Sequence, residues 1–207
     1  MNLIEKATLM HYHRHRIGEF SLAAPKALGW RDQHSQLARF AALGQIGSVQ
    51  GCSVLDIGCG CGDFKAWLDG AGGVGDYIGI DLMPEFIAAA KARFAACGNA
   101  AFFQADFSSA ALPQVDYVFA SGALSYRCAD DDYYYAMIAR FYQAARLGLA
   151  FNMLDAQHFP QHKLLRGHDR AAVLAYCRTL AHRVEIINGY ADDDFTLCLY
   201  TASSMAA

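Results

Sequence analysis

Apolar and polar residues alternate along this chain in two periods, one of short buried strands and one of amphipathic helices. The run Val54-Leu55-Asp56-Ile57 is mostly apolar and stops at Gly58-Cys59-Gly60-Cys61-Gly62, which predicts a buried strand ending in a glycine turn. Residues 63–68 then take up helical spacing, and 77–81 predict a second strand ending on a carboxylate. Pro84 suits the first turn of a helix that runs through Phe86, Ile87, Ala90 and Phe94 to a stop at Gly98. Residues 101–104 predict a third strand, and 115–121 a fourth, apolar on both faces as a central parallel strand is. A helix over 130–145, opened by Asp130-Asp131-Asp132, precedes a fifth strand over 147–154. Asp169 caps a helix carrying Val173, Leu174, Tyr176 and Cys177, and strands 183–190 and 195–201 close the chain as a hairpin across 191–194. Ahead of the glycine strand, 1–16 predict a helix with Leu3, Ala7 and Met10 on one face, and 18–30, holding Pro25 and Gly29, an irregular connection. Asp32 is placed to cap a helix over 33–46, with Leu37, Phe40, Ala41 and Leu43 as its apolar stripe. No internal repeat interrupts this order.

The chemistry begins at the glycine turn. Strand, glycine turn and helix form the geometry in which bare backbone N–H groups and a helix N-terminus face a polar ligand. Asp81 lies at the tip of the second strand, about 20 residues past the glycines, where a carboxylate accepts hydrogen bonds from ribose hydroxyls. These features imply a nucleoside-bearing ligand. A dinucleotide fingerprint needs G-x-G-x-x-G, whereas here the third glycine falls one place early and Asp63 stands where that glycine belongs. Asp56, just before the turn, repels a diphosphate and suits a cationic ligand.

Asp56, Gly58, Gly60 and Gly62 together make an acid-x-G-x-G-x-G pattern, and from here to its end the chain resembles the class I S-adenosylmethionine-dependent methyltransferases. The resemblance implies an α/β fold: a single doubly wound, mostly parallel seven-stranded sheet with a C-terminal antiparallel hairpin, helices on both faces and an N-terminal helical lid. It implies one domain, with 1–50 as the cap and 51–207 as the sheet core. The implied cofactor is S-adenosylmethionine, leaving as S-adenosylhomocysteine. Its cationic groups meet the requirement that Asp56 sets. By the same resemblance Cys59 belongs to the cofactor loop, Asp81 and neighbouring Leu82 to the ribose site, and Asp106 and Phe107 to the adenine site. Ser121, ending the fourth strand, borders the methyl donor. Tyr12, Arg16 and Trp30 are the expected lid contacts, with Arg14 as an alternative to Arg16 for the cofactor carboxylate. The other reading of the N-terminal helices is packing that seals a sheet edge.

On the acceptor side, Asn152 and Asp155 end the fifth strand and lead into a loop with His158 and His162, then His168. His158 is the candidate general base and Asn152 and Asp155 the candidate orienting groups, although a base is needed only if the acceptor must lose a proton. The alternative for His158 is a solvated loop histidine. Tyr126, Tyr133, Tyr134 and Tyr135 offer aromatic walls, of which helix packing takes at least one. Ser121-Gly122-Ala123-Leu124 is unlike the Asn/Asp-Pro-Pro-aromatic signature of enzymes that methylate nucleic-acid amino groups, and there is no Pro-Cys pair for attack on cytosine. Cys59 and Cys61 lack the second pair of a structural zinc site, and His11 and His15, which share a helix face, have no acidic third ligand nearby; no metal is expected.

Composition narrows the partners. With 207 residues, 55% of them hydrophobic, one domain can bury a substantial core. A net charge of −3 argues against nucleic acid, since the basic cluster His13-Arg14-His15-Arg16 is too short to track phosphates. Seven cysteines without framework spacing read as reduced thiols in the cytoplasm. No apolar run reaches the roughly 18 residues of a membrane span, and no signal-peptide core is expected at the N-terminus. The expected function is methyl transfer to an N, O or S atom of a small molecule by a monomer or homodimer. Three rivals remain: a non-catalytic cofactor-binding subunit or sensor, a nicotinamide oxidoreductase, and an enzyme moving an aminopropyl group, for which Asp130–Asp132 would recognise a polyamine.

Overall fold

Burial of both faces of the central strands organises the sheet. In the computed structural model, which describes residues 1–22 and 24–205, β1 (Val54–Ile57) is buried throughout. It lies between β2 (Tyr77–Asp81) and β4 (Val115–Ala120), both parallel to it. β3 (Ala100–Gln104) and β5 (Ala145–Leu154) extend the parallel set, and the antiparallel pair β6 (Arg183–Ile187) and β7 (Asp194–Tyr200) completes it. The order is β3-β2-β1-β4-β5-β7-β6. The order of strand addition reverses between β1 and β4, so the crevice beyond their carboxyl ends is where an open α/β sheet takes a ligand.

Strand alternation sends successive side chains to opposite layers. Leu55, Ile57, Val118, Phe151 and Leu197 pack under α5 (Tyr133–Ala144) and α6 (Arg170–Leu180). Val54, Tyr77, Phe119, Ala150 and Cys198 pack under α2 (Gln33–Leu43), α3 (Asp63–Gly70) and α4 (Pro84–Arg93). Helices thus cover both faces, and α1 (Leu3–Glu19) sits over the carboxyl ends through Met10 and Ile17, which pack against Met83, Phe86 and Cys61. Asp32 caps α2 by accepting from the Ser35 amide, and Asp169 caps α6 from the Ala171 and Ala172 amides.

Three boundaries depart from the sequence expectation for identifiable reasons. α4 ends at Arg93, five residues before Gly98, because Phe94 leaves the helix to stack on Phe102 with ring centroids 5.4 Å apart. α5 begins at Tyr133 because the Asp130 carboxylate accepts the Asp132 amide and holds a turn there. β6 stops at Ile187, since the chain then turns Tyr190 inward to Asp194 and Thr196.

Candidate active site

The glycine turn is built differently from an anion cradle. The amides of Gly58 and Cys59 both donate to Ile80 O, at 2.8 and 3.0 Å, and the Gly62 amide donates to Cys59 O. The Gly60 amide donates to Asp81 Oδ2 at 3.0 Å. With these four N–H groups committed to protein acceptors, the expected bare amides are absent among them. Gly58 and Gly60 need positive φ, 73° and 53°, to make this turn. Gly62 stands behind it: its Cβ would lie 2.7 Å from Phe94, and it packs α3 onto the core without lining the cavity.

A cavity of about 510 Å³ opens over the turn. Of the residues the sequence assigned to the cofactor, Asp56, Gly58, Cys59, Gly60, Asp81, Leu82, Asp106, Phe107, Ser121, Tyr12, Arg16 and Trp30 all line it. Asp56 is 1% exposed; Tyr77 donates its hydroxyl to Oδ2, while Oδ1 is buried without a partner. Burial pushes its carboxyl up to about 7; the Tyr77 bond opposes this and the Asp81 and Asp63 charges add to it. Asp81 is raised to about 6 by burial, against the amides of Met83 and Gly60 that donate to it. An orphaned buried acceptor calls for a cationic donor. That requirement, a second carboxylate at the tip of β2, and a loop whose Gly58, Cys59, Gly60 and Gly62 amides are already engaged together fit S-adenosylmethionine and its ammonium. Burial also raises the Cys61 thiol to about 12, and no cluster of metal-ligating side chains occurs among the described residues.

The N-terminal segment forms the cavity's outer wall. Buried His13 stacks edge-on against Phe86, bonds Ala27 O through Nδ1 at 3.2 Å and receives the Tyr126 hydroxyl on Nε2 at 2.8 Å. Burial lowers its pKa to about 4, so the ring is neutral, with the proton on Nδ1. Leu28 lies over Gly60 and Trp30 over Gly122, where an added Cβ would meet them at 2.6 and 2.9 Å. Lys6 pairs with Asp106 at 2.5 Å, and the Ser108 amide and hydroxyl also donate to that carboxylate. Burial works against ionisation of Asp106, but these partners hold it below the usual carboxylate range. Arg16 donates Nε to Lys26 O and faces the Tyr12 ring, whereas Arg14 turns outward to Glu85.

The residues assigned to the acceptor are arranged otherwise than expected. His158, Asn152 and Asp155 do not line the cavity. His158 lies half-exposed beside Asp155. Asp155 organises the loop instead, accepting the Gln157 amide and facing Arg170 at 3.5 Å. Asn152 lies beneath the site, accepting from the Ser121 hydroxyl at 3.0 Å and donating to Thr196 at 2.9 Å. His162 does line the cavity, as do Tyr126 and Tyr133; Tyr134 donates to Tyr126 O, and Tyr135 packs on Tyr176. Buried His168 packs edge-on against Tyr134. Sequence reading missed Gln36 and Arg39, which line the cavity from α2. Ser35, Gln36 and Arg39 share one helical stripe, and the structure buries all three, which their polar character alone did not signal.

Known proteins match this geometry. The family model for a methyltransferase domain matches residues 54–148. Rv1506c of Mycobacterium tuberculosis, itself provisionally named a methyltransferase, is 31% identical over 163 residues, covering 73% of this chain and 94% of that protein. The magnesium protoporphyrin IX methyltransferase of Synechocystis PCC 6803, solved with bound S-adenosylhomocysteine, superposes with a TM-score of 0.69 at 19% identity, covering 95% of this chain and all 100% of that one. The N-methyltransferase NodS of Bradyrhizobium japonicum WM9, also solved with S-adenosylhomocysteine, gives a TM-score of 0.72 at 17% identity over 93% and 98% of the two chains. At these identities the solved structures establish a common fold, and the sequence match to the mycobacterial protein establishes kinship. The chain is a member of the class I S-adenosylmethionine-dependent methyltransferase family.

Proposed function

We propose that the protein transfers the methyl group of S-adenosylmethionine to an N, O or S atom of a small-molecule acceptor. The observation that carries this reading is the pairing of Asp56, with its unpartnered Oδ1, and Asp81 across one glycine turn in one cavity. In this reading Asp56 meets the ammonium, Asp81 with Leu82 the ribose, and Asp106 with Phe107 the adenine. Gly58, Cys59 and Gly60 shape the floor, and Ser121 marks where the acceptor begins. When bound, the cofactor supplies an electrophilic methyl on a sulfonium, displaced in line by the acceptor. The chain contributes position and dryness, which are most of what such a displacement requires. Residues 1–50 act as a lid over the core of a single domain, with Tyr12, Arg16, Leu28 and Trp30 excluding water.

A cavity of about 510 Å³ shared by two ligands supports an acceptor of metabolite size. The net charge of −3 supports a partner other than nucleic acid, and no described helix is long and apolar enough to cross a membrane. The cavity continues past Ser121 to Leu154 and Arg39, which favours catalysis over binding alone. Asp130–Asp132 lie outside it, with Asp131 paired to Arg166, so they lend no support to a polyamine acceptor. Release of S-adenosylhomocysteine over a broad panel of small N, O and S nucleophiles tests the reading. Turnover with any member, lost in Asp81→Ala, supports it; a blank panel with demonstrated cofactor binding argues for the non-catalytic alternative.

A further inference from the structure

Strand order divides the cavity into two ends of opposite character. Asp81 and Asp106 lie beyond β2 and β3, Asp56 on β1, and Asp63 opens α3. Asp56, Asp81 and Asp106 make up the end assigned above to the cofactor, and Asp63 accepts from Gln36 of α2. At the other end Leu154 closes β5 opposite Asp194, the first residue of β7, with Asp193 just before it. There Leu154, Phe159 and Leu165 make an apolar stretch of wall beside Asp193 and His162, and Arg39 reaches in from α2.

Arg39 is 8% exposed and rigidly held. Its Nε donates to Asp194 Oδ2 at 2.6 Å and its Nη1 to Ser35 O at 3.1 Å, and its guanidinium lies 5.2 Å from the Trp30 ring. The hold continues inward: Asp194 accepts from Tyr190, which bonds Thr196, which accepts from Asn152, which accepts from Ser121. A chain of buried and half-buried polar side chains therefore links the guanidinium to Ser121 at the end of β4. Asp194 balances the charge, but Nη2 has no hydrogen-bond partner among the described residues. A planar, pre-oriented donor that is nine-tenths buried and left with free N–H groups beside a cavity is built for an oxygen acceptor, and for a carboxylate best.

We propose that Arg39 is the acceptor's anchor, and that the acceptor is a small carboxylic acid with an apolar body. The carboxylate accepts from Nη2, and the body lies against Phe159, Leu154 and Leu165 with its nucleophilic atom toward Ser121. Amines are disfavoured at Nη2 because their charge would meet the guanidinium, and Asp193, which also lines this end, is the group that would favour them. This inference rests on the functional reading above.

Calorimetry tests both in sequence. S-adenosylhomocysteine is first titrated into wild type and Arg39→Lys, a change that keeps the charge facing Asp194 and removes the planar fork. Benzoate, phenylacetate, cinnamate and indole-3-acetate are then titrated into the S-adenosylhomocysteine-loaded proteins, each beside its primary amide, with benzylamine and phenethylamine as cationic probes. Acids should bind wild type at least tenfold more tightly than their amides and than the amines. Arg39→Lys should lose tenfold or more for the acids while holding S-adenosylhomocysteine within twofold. The comparison of acid with amide on wild type stands even if the variant fails to fold. Amides binding as well as acids, amines binding better, no acid binding at all, or a variant indifferent to the acids each overturn the proposal. A variant that loses S-adenosylhomocysteine as severely as the acids reassigns Arg39 to the cofactor and overturns it too. Failure of wild type to bind S-adenosylhomocysteine contradicts the functional reading itself, whereas binding without acid preference contradicts only this inference.

Discussion

Asp56 links ligand charge, pH and stability in one side chain. Its carboxyl is raised from 3.8 to about 7, so the folded protein keeps a proton that the unfolded chain has lost. A raised folded pKa contributes stability that is full below 3.8 and disappears as pH rises through about 7. Asp56→Asn should therefore gain on wild type in chemical-denaturation stability as pH is raised from 5 to 8; parallel pH profiles for the two proteins would contradict this. Ligand binding should run the other way. An ammonium at Oδ1 prefers the ionised carboxylate, so affinity for S-adenosylhomocysteine should rise between pH 6 and 8 and release a proton, both effects vanishing in Asp56→Asn. His158 carries the opposite expectation. Half-exposed and outside the cavity, its replacement by Ala should leave kcat within about twofold, because general-base assistance contributes about a hundredfold or more where it operates. Sequence could place Asp56 and Asp81 because a strand end and a glycine turn fix them locally. It could not place His158 and Asp155, whose directions depend on how a long loop folds, nor Asn152, which lies on β5 and turns to Thr196 beneath the site.

The N-terminal segment is held over the cavity by specific contacts, among them the Lys6–Asp106 pair and the His13–Tyr126 bond. Tyr126 donates to His13, a neutral buried ring that is otherwise anchored only through Nδ1 to Ala27 O. Tyr126→Phe leaves Nε2 unpaired in a site that burial has already made hostile to charge. Such a loss costs about 1–3 kcal/mol. Amide exchange should accelerate in α1 and in the segment around Leu28 while β1 and β4 stay protected; uniform acceleration would mean that α1 unfolds only with the core. In α2 the Asp32 cap was legible from a single residue type, whereas the inward turn of Gln36 and Arg39 was not. A polar side chain beside an apolar stripe reads as a solvated flank unless the cavity beneath it is known. The ends of α4 and α5 were misjudged for a related reason: Phe94 leaves its helix for a distant partner, and Asp130 holds a local turn against a helical one.

The whole molecule is a sheet whose carboxyl edge presents Asp56, Asp81 and Asp106 around β1–β3 and Leu154, Asp193 and Arg39 around β5 and β7. Seven strands and the closing hairpin followed from strand spacing, resemblance and the turn at 191–194, because central parallel strands buried on both faces leave an apolar record. The division of labour along the edge did not, since it arises only when β7 brings Asp194 beside Leu154 and under Arg39. The most direct test of the account is calorimetric binding of S-adenosylmethionine, S-adenosylhomocysteine and NAD to wild type and Asp81→Ala. Removing a charged hydrogen-bond partner costs about 1.5–3 kcal/mol, roughly tenfold to a hundredfold in affinity. The account predicts tight binding of the first two ligands, a loss of that size in the variant and no measurable binding of NAD; preference for NAD, or an Asp81→Ala protein that binds S-adenosylmethionine as well as wild type, would contradict it.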